Sequence, residues 1–300
     1  MTVIAIVGPT ASGKTAASLA LVRAIRDGAV AGICDAEIIN ADAMQLYRGM
    51  DIGTAKVSAA ERAEVPHHQL DVLDVAEEAS VAAYQRAARR DIAAIQARGH
   101  AAIVVGGSGL YVRALLDDIE FPGTDPAIRA RLEAELAEVG QADMHARLAA
   151  VDPASAERLA PTNTRRVVRA LEVWELTGRP FSATMPQRRY YQPTRQFGCM
   201  VDDVGERIAR RTAHMWREGI VEETRALQGR WGRTARKATG YAQTAAYLAG
   251  EMSAVEAEAA ITQATRQLAR KQLKWFRADP RITWLDPRTE AIAPMLKVCS

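Results

Sequence analysis

Along the first 120 residues the apolar positions follow two patterns, short unbroken runs and longer spaced stripes. Residues 3–7 (VIAIV) form a run without polar interruption, as in a strand buried on both faces of a parallel sheet. A glycine-rich turn follows, then a stripe of helical period from about Lys14 to Arg26. Residues 36–40 (AEIIN) predict a second strand, ending just before Asp42. Residues 80–98 predict a helix, with Val81, Tyr84, Ala88, Ile92 and Ile95 at core-facing spacing. A third buried strand is predicted at 101–105 (AAIVV), closed by Gly106 and Gly107. Strands alternating with helices imply a parallel sheet with its active site at the carboxyl ends of the strands.

The pattern changes after Leu116. Residues 117–126 read as loop, and 126–176 as several helices without a strand. Residues 178–196 are rich in proline and arginine and read as a linker. Helices resume at about 203–228 and 253–277, the second opened by Ser253 with Glu256 three residues on, the spacing of a capping box. The fold class expected is α/β, with a P-loop NTPase-like parallel-sheet core at 1–120 plus 197–300. An all-helical domain is expected to be inserted at 121–196.

Composition narrows this picture. Of 300 residues 48% are hydrophobic, enough for one large core or two unequal ones. Scarce aromatics and abundant alanine favour helices. No run approaches the roughly 18–20 apolar residues of a membrane span, and the N-terminus lacks the basic region and cleavage site of a signal peptide. Cys34, Cys199 and Cys299 are far apart and lack CxxC spacing, which favours reduced thiols, a cytoplasmic protein and no zinc or disulfide framework. The net charge of +3 is uneven: residues 1–120 carry −4, 121–196 carry +2 and 197–300 carry +5. Solvated helix faces would account for this, and so would a polyanion docking on the later segments.

The candidate chemistry starts at Gly8-Pro9-Thr10-Ala11-Ser12-Gly13-Lys14-Thr15, which fits GxxxxGK[ST] between a predicted strand and a predicted helix. In that context backbone N–H groups and the helix N-terminus close around phosphate oxygens. Lys14 neutralises a further oxygen, and the Thr15 hydroxyl suits Mg²⁺. A P-loop NTPase also needs an apolar strand ending in an acidic residue for the metal. Here AAIVV ends in Gly106-Gly107-Ser108, and the nearby carboxylate is instead Asp42, after the second strand.

Six segments together resemble one family, the tRNA dimethylallyltransferases (tRNA isopentenyltransferases). They are GPTASGKT (8–15), NADAMQLYRGMDIGTAK (40–56), PHHQLDVLD (66–74), VGGSGLYVRALL (105–116), RRVVRALEVWELTGRPFS (165–182) and ATRQLARKQLKWFRADPRITWLD (264–286). They occur in family order and span nearly the whole chain. The resemblance implies transfer of a dimethylallyl group from dimethylallyl diphosphate to N6 of adenosine 37 in tRNA, with Mg²⁺ as cofactor. It implies Asp42 as general base, Ser108 as a hydroxyl holding N6, and Gly8 to Thr15 with Arg211 as the diphosphate site. An exocyclic amine is a weak nucleophile, so a carboxylate accepting its proton is worth about 10²–10⁴-fold. Asp42 is equally suited to capping a helix after strand two, and the two roles are compatible. Without the resemblance, Arg211 reads as a surface arginine on the basic RIARR helix (207–211).

On the tRNA side the resemblance implies contacts from Asp42, Ala43, Met44, Gln45, Ser108, Arg129, Arg165, Arg166 and Arg169. Arg266, Arg270, Lys274 and Arg277 repeat at i, i+4, i+8 and i+11, one basic stripe on the last long helix. RNA is read by sequence mostly at loop bases that can be splayed out, and N6 of a stacked base is reached by flipping it into a pocket. Ala43 and Ala242 depart from the family pattern, Ser and Arg or Lys respectively, which bears on particular tRNA contacts. The chain is expected to act as a monomer. The competing readings are a small-molecule kinase or ATPase, an RNA-binding module with a vestigial loop, and a prenyltransferase acting on free adenine nucleotides.

Overall fold

The structure, a computed structural model, describes residues 1–184, 188–289 and 292–298. Cys299 and the middle of the 178–196 segment lie outside the described residues. The chain forms two compact units, Met1–Leu116 with Gln192–Ser300, and Asp117–Tyr191.

The first unit opens with β1 (Val3–Val7), α1 (Lys14–Arg26), β2 (Ala36–Asn40), α2 (Ala59–Glu64) and β3 (His67–His68). It continues with α3 (Val81–Ala97), β4 (Ala101–Gly106) and α4 (Gly109–Leu116). The second unit holds α5 (Pro126–Val151), α6 (Pro153–Arg158) and α7 (Thr164–Thr177). The chain then returns to the first unit with β5 (Thr194–Cys199), α8 (Val204–Glu218), α9 (Ile220–Leu227), α10 (Tyr241–Leu248), α11 (Ala254–Arg277), β6 (Ile282–Leu285) and α12 (Ile292–Leu296).

The sheet runs β3-β2-β4-β1-β5-β6, with every pairing parallel. β1 lies at its centre, every residue buried, with Ile4 opposite Ile103 of β4 and Val7 opposite Gly198 of β5. Valine and isoleucine suit this position because branched side chains pack well on a pleated surface covered on both sides. Leu21, Val22 and Ile25 of α1 pack in the core beside Ile4, Ile6, Ile103 and Met295. On α3 the predicted residues Tyr84, Ala88, Ile92 and Ile95 are buried, whereas Val81 is only half-buried. The capping box at Ser253 and Glu256 opens α11.

Two readings of the sequence change here. β5 begins at Thr194, inside the segment read as linker, and its residues TRQFGC form no apolar run. It is a strand because β1 and β6 pair with it on either side, which buries even Thr194 and Gln196. The expected helix at 203–228 is two helices, broken at Gly219, whose φ of 104° closes α8 with a left-handed turn.

The helical unit has its own core of Leu132, Met144, Leu148, Val167, Val168 and Leu171. Buried Glu172 of α7 accepts from the guanidinium groups of Arg129 and Arg169 and from the Asp125 amide. Burial pushes the Glu172 carboxyl up, but the two arginines outweigh it and hold its pKa below the ordinary glutamate value.

Ile103 is fully buried at the centre of the sheet. Ile103→Ala is expected to cost about 2–5 kcal/mol of stability, read as a lower urea midpoint with an unchanged slope.

Candidate active site

Three strands and a helix deliver the site to one edge of the sheet. β1 runs into Gly8, β2 into Asp42, β4 into Gly107 and Ser108, and α1 starts at Lys14. The loop between β1 and α1 wraps into a cradle because Gly13 takes φ 92°, a conformation that glycine adopts without a Cβ clash. The cradle opens on a cavity of about 560 Å³, lined by Thr10 to Ala16, Asp42, Gln45, Thr54, Gly107, Arg207, Arg211 and Gln272 among others.

Its polar groups are incompletely paired. Lys14 Nζ donates to the Pro9 carbonyl at 2.7 Å, so the lysine folds back on its own loop. Burial lowers the Lys14 pKa to about 8, against the pull of the Asp42 charge, which raises it. The Ser12 hydroxyl is fully buried without a hydrogen-bond partner, although buried hydroxyls are normally satisfied. A phosphate oxygen in the cradle would supply that partner. Thr15 stands exposed on the cavity wall, and among the described residues no group of three or more His, Cys, Asp or Glu could hold a metal unaided. Thr15 is the residue here that would hold a divalent ion of the kind that keeps water and substrate ligands.

Asp42, two residues beyond the end of β2, takes the capping role that the sequence allowed it. Its Oδ1 caps a short 3₁₀ helix at Ala43–Leu46 by accepting from the Met44 amide at 3.0 Å, while the side chain lines the cavity. Asn40 fixes it from behind, accepting from the Asp42 amide and donating to the Asp42 carbonyl, both at 3.0 Å. Burial raises the Asp42 carboxyl above the ordinary aspartate range, outweighing the Met44 amide and the charges of Lys14 and Arg211. Ser108 Oγ accepts from the Ala43 amide at 3.0 Å, leaving its proton and a lone pair for another partner.

Arg211 is not a surface arginine. It is half-buried, donates to the Thr10 hydroxyl, and has its pKa lowered by burial. Arg207 supports the loop by donating to the Ala11 carbonyl at 2.8 Å.

A second cavity of about 290 Å³ shares Thr10, Asp42, Thr54, Arg211 and Gln272 with the first, and adds Ala43, Met44, Ser108, Met215, Ile261 and Leu268. The site is therefore a cationic cradle joined to a more apolar chamber, with Asp42 on the shared wall.

Sequence reasoning missed Gln272. This residue accepts from the Thr10 amide at 2.8 Å and donates to the Gly107 carbonyl at 3.0 Å, tying α11 to both loops. The available signal was a polar residue on the stripe Ile261, Thr265, Ala269, Phe276 that α11 buries. Opposite it Arg266, Arg270, Lys274 and Arg277 are exposed, as their spacing predicts.

In the helical unit the four arginines divide. Arg129 and Arg169 are bound to Glu172, and Arg169 also donates to the Pro122 and Gly123 carbonyls. Arg165 and Arg166 are exposed on α7. Of the four arginines expected at tRNA, Arg129 and Arg169 thus also brace the unit, while Arg165 and Arg166 face solvent.

A parallel sheet with this loop after its central strand and an acidic residue after the neighbouring β2 defines a P-loop α/β protein. Within that class the chain belongs to the IPP transferase family, whose model matches residues 45–279. The tRNA dimethylallyltransferase of Salinispora arenicola is 55% identical over 290 residues, 95% of this chain and 82% of that protein. The tRNA dimethylallyltransferase of Pseudarthrobacter chlorophenolicus is 55% identical over 289 residues, covering 95% and 93%. A crystal structure of the full-length tRNA isopentenylpyrophosphate transferase from Bacillus halodurans superimposes with a TM-score of 0.68 at 35% identity, over 99% of this chain and 95% of that one. A eukaryotic dimethylallyltransferase acting on tRNA shares the fold, with a TM-score of 0.82 at 23% identity over 99% and 77%.

The position of Lys14 has a consequence in pH. Its ammonium is lost as pH rises through about 8, so its contribution to anion binding is present below that value and absent above it. In calorimetric titrations with inorganic diphosphate, the ratio of wild-type affinity to that of Lys14→Arg should fall between pH 7 and 9.5, because arginine keeps its charge throughout. A constant ratio would remove Lys14 from the cradle's charge.

Proposed function

We infer that this protein transfers a dimethylallyl group from dimethylallyl diphosphate to N6 of adenosine 37 in tRNA, releasing diphosphate. The observation that carries the reading is the pairing of a cationic phosphate cradle with an apolar chamber across a single carboxylate, Asp42. An ATPase needs the cradle alone, whereas a prenyl donor also needs apolar surface such as Met44, Met215, Ile261 and Leu268 provide beside it.

In this reading the phosphate loop Gly8–Thr15, with its Ser12 hydroxyl and Lys14, and Arg211 bind the diphosphate. The C–O bond from the prenyl carbon to the diphosphate breaks while the N6 lone pair forms the C–N bond. Charge accumulates on the departing oxygen, and donors already aimed at it lower the barrier. The N6 proton passes to Asp42, one of whose oxygens is already committed to the Met44 amide. A carboxylate whose pKa is raised by burial is a better proton acceptor than one at the ordinary aspartate value. Ser108 orients the amine through its remaining lone pair. Mg²⁺, when bound, adds positive charge to the diphosphate, and Thr15 is the residue that would hold it.

Met44, Met215, Ile261 and Leu268 would pack on the prenyl chain and limit the access of water to the reacting carbon, which otherwise would be captured by hydrolysis. For the nucleic acid, Ala43, Met44 and Gln45 stand beside Asp42 where a flipped base would enter. Arg165 and Arg166 on α7 and the exposed stripe on α11 supply charge for phosphates. Arg129 and Arg169 act indirectly, by holding the helical unit together through Glu172.

Incubation with Mg²⁺, labelled dimethylallyl diphosphate and either unmodified tRNA or AMP tests the reaction. Label is expected in tRNA at adenosine 37. Label in AMP alone, or ATP consumption without label transfer, would overturn the reading. Asp42→Asn keeps an oxygen for the Met44 cap and removes the base, so kcat should fall about 10²–10⁴-fold with tRNA affinity nearly unchanged. Collapse of tRNA affinity with turnover intact would make Asp42 structural. Replacing Arg165 and Arg166 together by Gln should weaken tRNA binding and lower the salt slope by about 1–2; an unchanged slope takes them out of the interface.

A further inference from the structure

Two sequence stretches of the family pattern, DIGTAK at 51–56 and GYAQ at 240–243, have no place in the chemistry above. One partly buried contact joins them. Glu223 of α9 accepts from the backbone amides of Asp51 at 2.9 Å and Ile52 at 2.8 Å through one oxygen. Its other oxygen accepts from the Gly53 amide at 3.0 Å and the Tyr241 hydroxyl at 2.6 Å. Four donors therefore converge on one carboxylate, three of them successive backbone N–H groups.

Shape completes the contact. The Tyr241 ring is fully buried and lies so close to Gly53 that a Cβ there would come within 2.5 Å of it. Burial and the neighbouring Glu223 carboxylate push the Tyr241 phenol far up, so it keeps the proton it donates. On its other side the same loop is gripped by Gln45, whose amide donates to the Thr54 carbonyl at 3.0 Å and the Ala55 carbonyl at 3.3 Å. Thr54 lines both the phosphate cavity and the apolar chamber. Glu223 itself lines neither cavity, yet it fixes the backbone one residue from the wall that the two share.

We propose that Glu223 is a positioning residue for the transfer reaction: through the 51–53 amides and Tyr241 it sets the Thr54 wall between the diphosphate cradle and the acceptor chamber. The proposal rests on the prenyl-transfer reading for its kinetic consequence only. A carboxylate suits the position because it offers acceptors alone, whereas the amide of a glutamine would turn an N–H group toward backbone donors. Displacement of a site wall by about 1 Å can cost on the order of 10²-fold in turnover without any change at the reacting groups.

The test uses the full chain carrying Glu223→Gln or Tyr241→Phe, read by amide hydrogen exchange, inorganic diphosphate affinity and steady-state kinetics. In Glu223→Gln the amides of Asp51, Ile52 and Gly53 should exchange faster than in the wild type, while those of β1 and β4 stay protected. Diphosphate affinity should fall roughly 3-fold to 10-fold, and kcat roughly 10-fold to 100-fold, with KM for tRNA within about 2-fold of wild type. Tyr241→Phe keeps the ring against Gly53 and loses one donor, so it should show the same pattern more weakly. If Glu223→Gln does not fold, Tyr241→Phe decides alone.

Wild-type kcat in a folded Glu223→Gln protein would overturn the proposal. So would lost turnover with unaltered exchange at 51–53, or equal losses in diphosphate and tRNA affinity. Exchange and diphosphate affinity are read without turnover. A wild-type protein that transfers no label to tRNA would therefore overturn the prenyl-transfer reading, while those two measurements still judge the clamp.

Discussion

The parallel pairing of β1 with β4 on one side and β5 on the other underlies the arrangement of the site. Parallel strands all end at the same edge, so side chains that follow different strands are brought together there. Gly8 follows β1, Asp42 follows β2, and Ser108 follows β4, residues separated by up to 100 positions in the chain. The register matters as much as the order. Val7 lies opposite Gly106, so the turn after β1 and the turn after β4 begin at the same level. Gln272 then locks the two turns to each other by bonding Thr10 and Gly107. A slip of one residue in this pairing would turn every core side chain of the strand to the opposite face.

The site concentrates groups that are costly to desolvate. Lys14, Asp42 and Arg211 each have a pKa moved by burial toward the neutral form, and the Ser12 hydroxyl has no partner. Such an arrangement lowers the stability of the empty site and is offset when an anion completes it. In the proposed reaction the same desolvation would make Asp42 a better proton acceptor and would leave the cradle's donors aimed at the leaving group without reorganisation. The loop at residues 51–56 shows the complementary arrangement: its 51–53 amides are tied to Glu223, its Thr54 and Ala55 carbonyls to Gln45, and Lys56 to the Tyr47 carbonyl and Asp51.

The helical unit solves a different problem, that of a small core carrying many arginines. Glu172, buried and paired with Arg129 and Arg169, removes two of them from the surface charge and links the start of α5 to α7. A buried ion pair of this kind is weak evidence for stability, since desolvation offsets much of the attraction. Its effect is to hold Arg129 and Arg169 on Glu172, while Arg165 and Arg166 at the start of α7 stay exposed.

Much of this was legible in the sequence. The runs VIAIV, AEIIN and AAIVV announce strands because burial on both faces demands continuous apolar character, and GPTASGKT announces the cradle because its glycines and lysine have one common use. The segments NADAMQLYRGMDIGTAK and GGSGLY carried the family and, with it, the placement of Asp42 and Ser108. What depends on local pattern was therefore determined by the sequence alone: the first strands, α1, the cap of α11 and the phosphate loop. Tertiary structure decided the rest, since those features depend on partners distant in the chain. TRQFGC becomes a strand only because β1 and β6 flank it. Arg211 leaves the surface only because Thr10 stands beneath it, Arg129 and Arg169 turn inward only because Glu172 is buried between them, and Gln272 and Glu223 have roles only where loops from other strands reach them. Hydrophobic periodicity reports which face of an element is covered, whereas hydrogen-bond partners across 170 or more residues are set by how the covered faces meet.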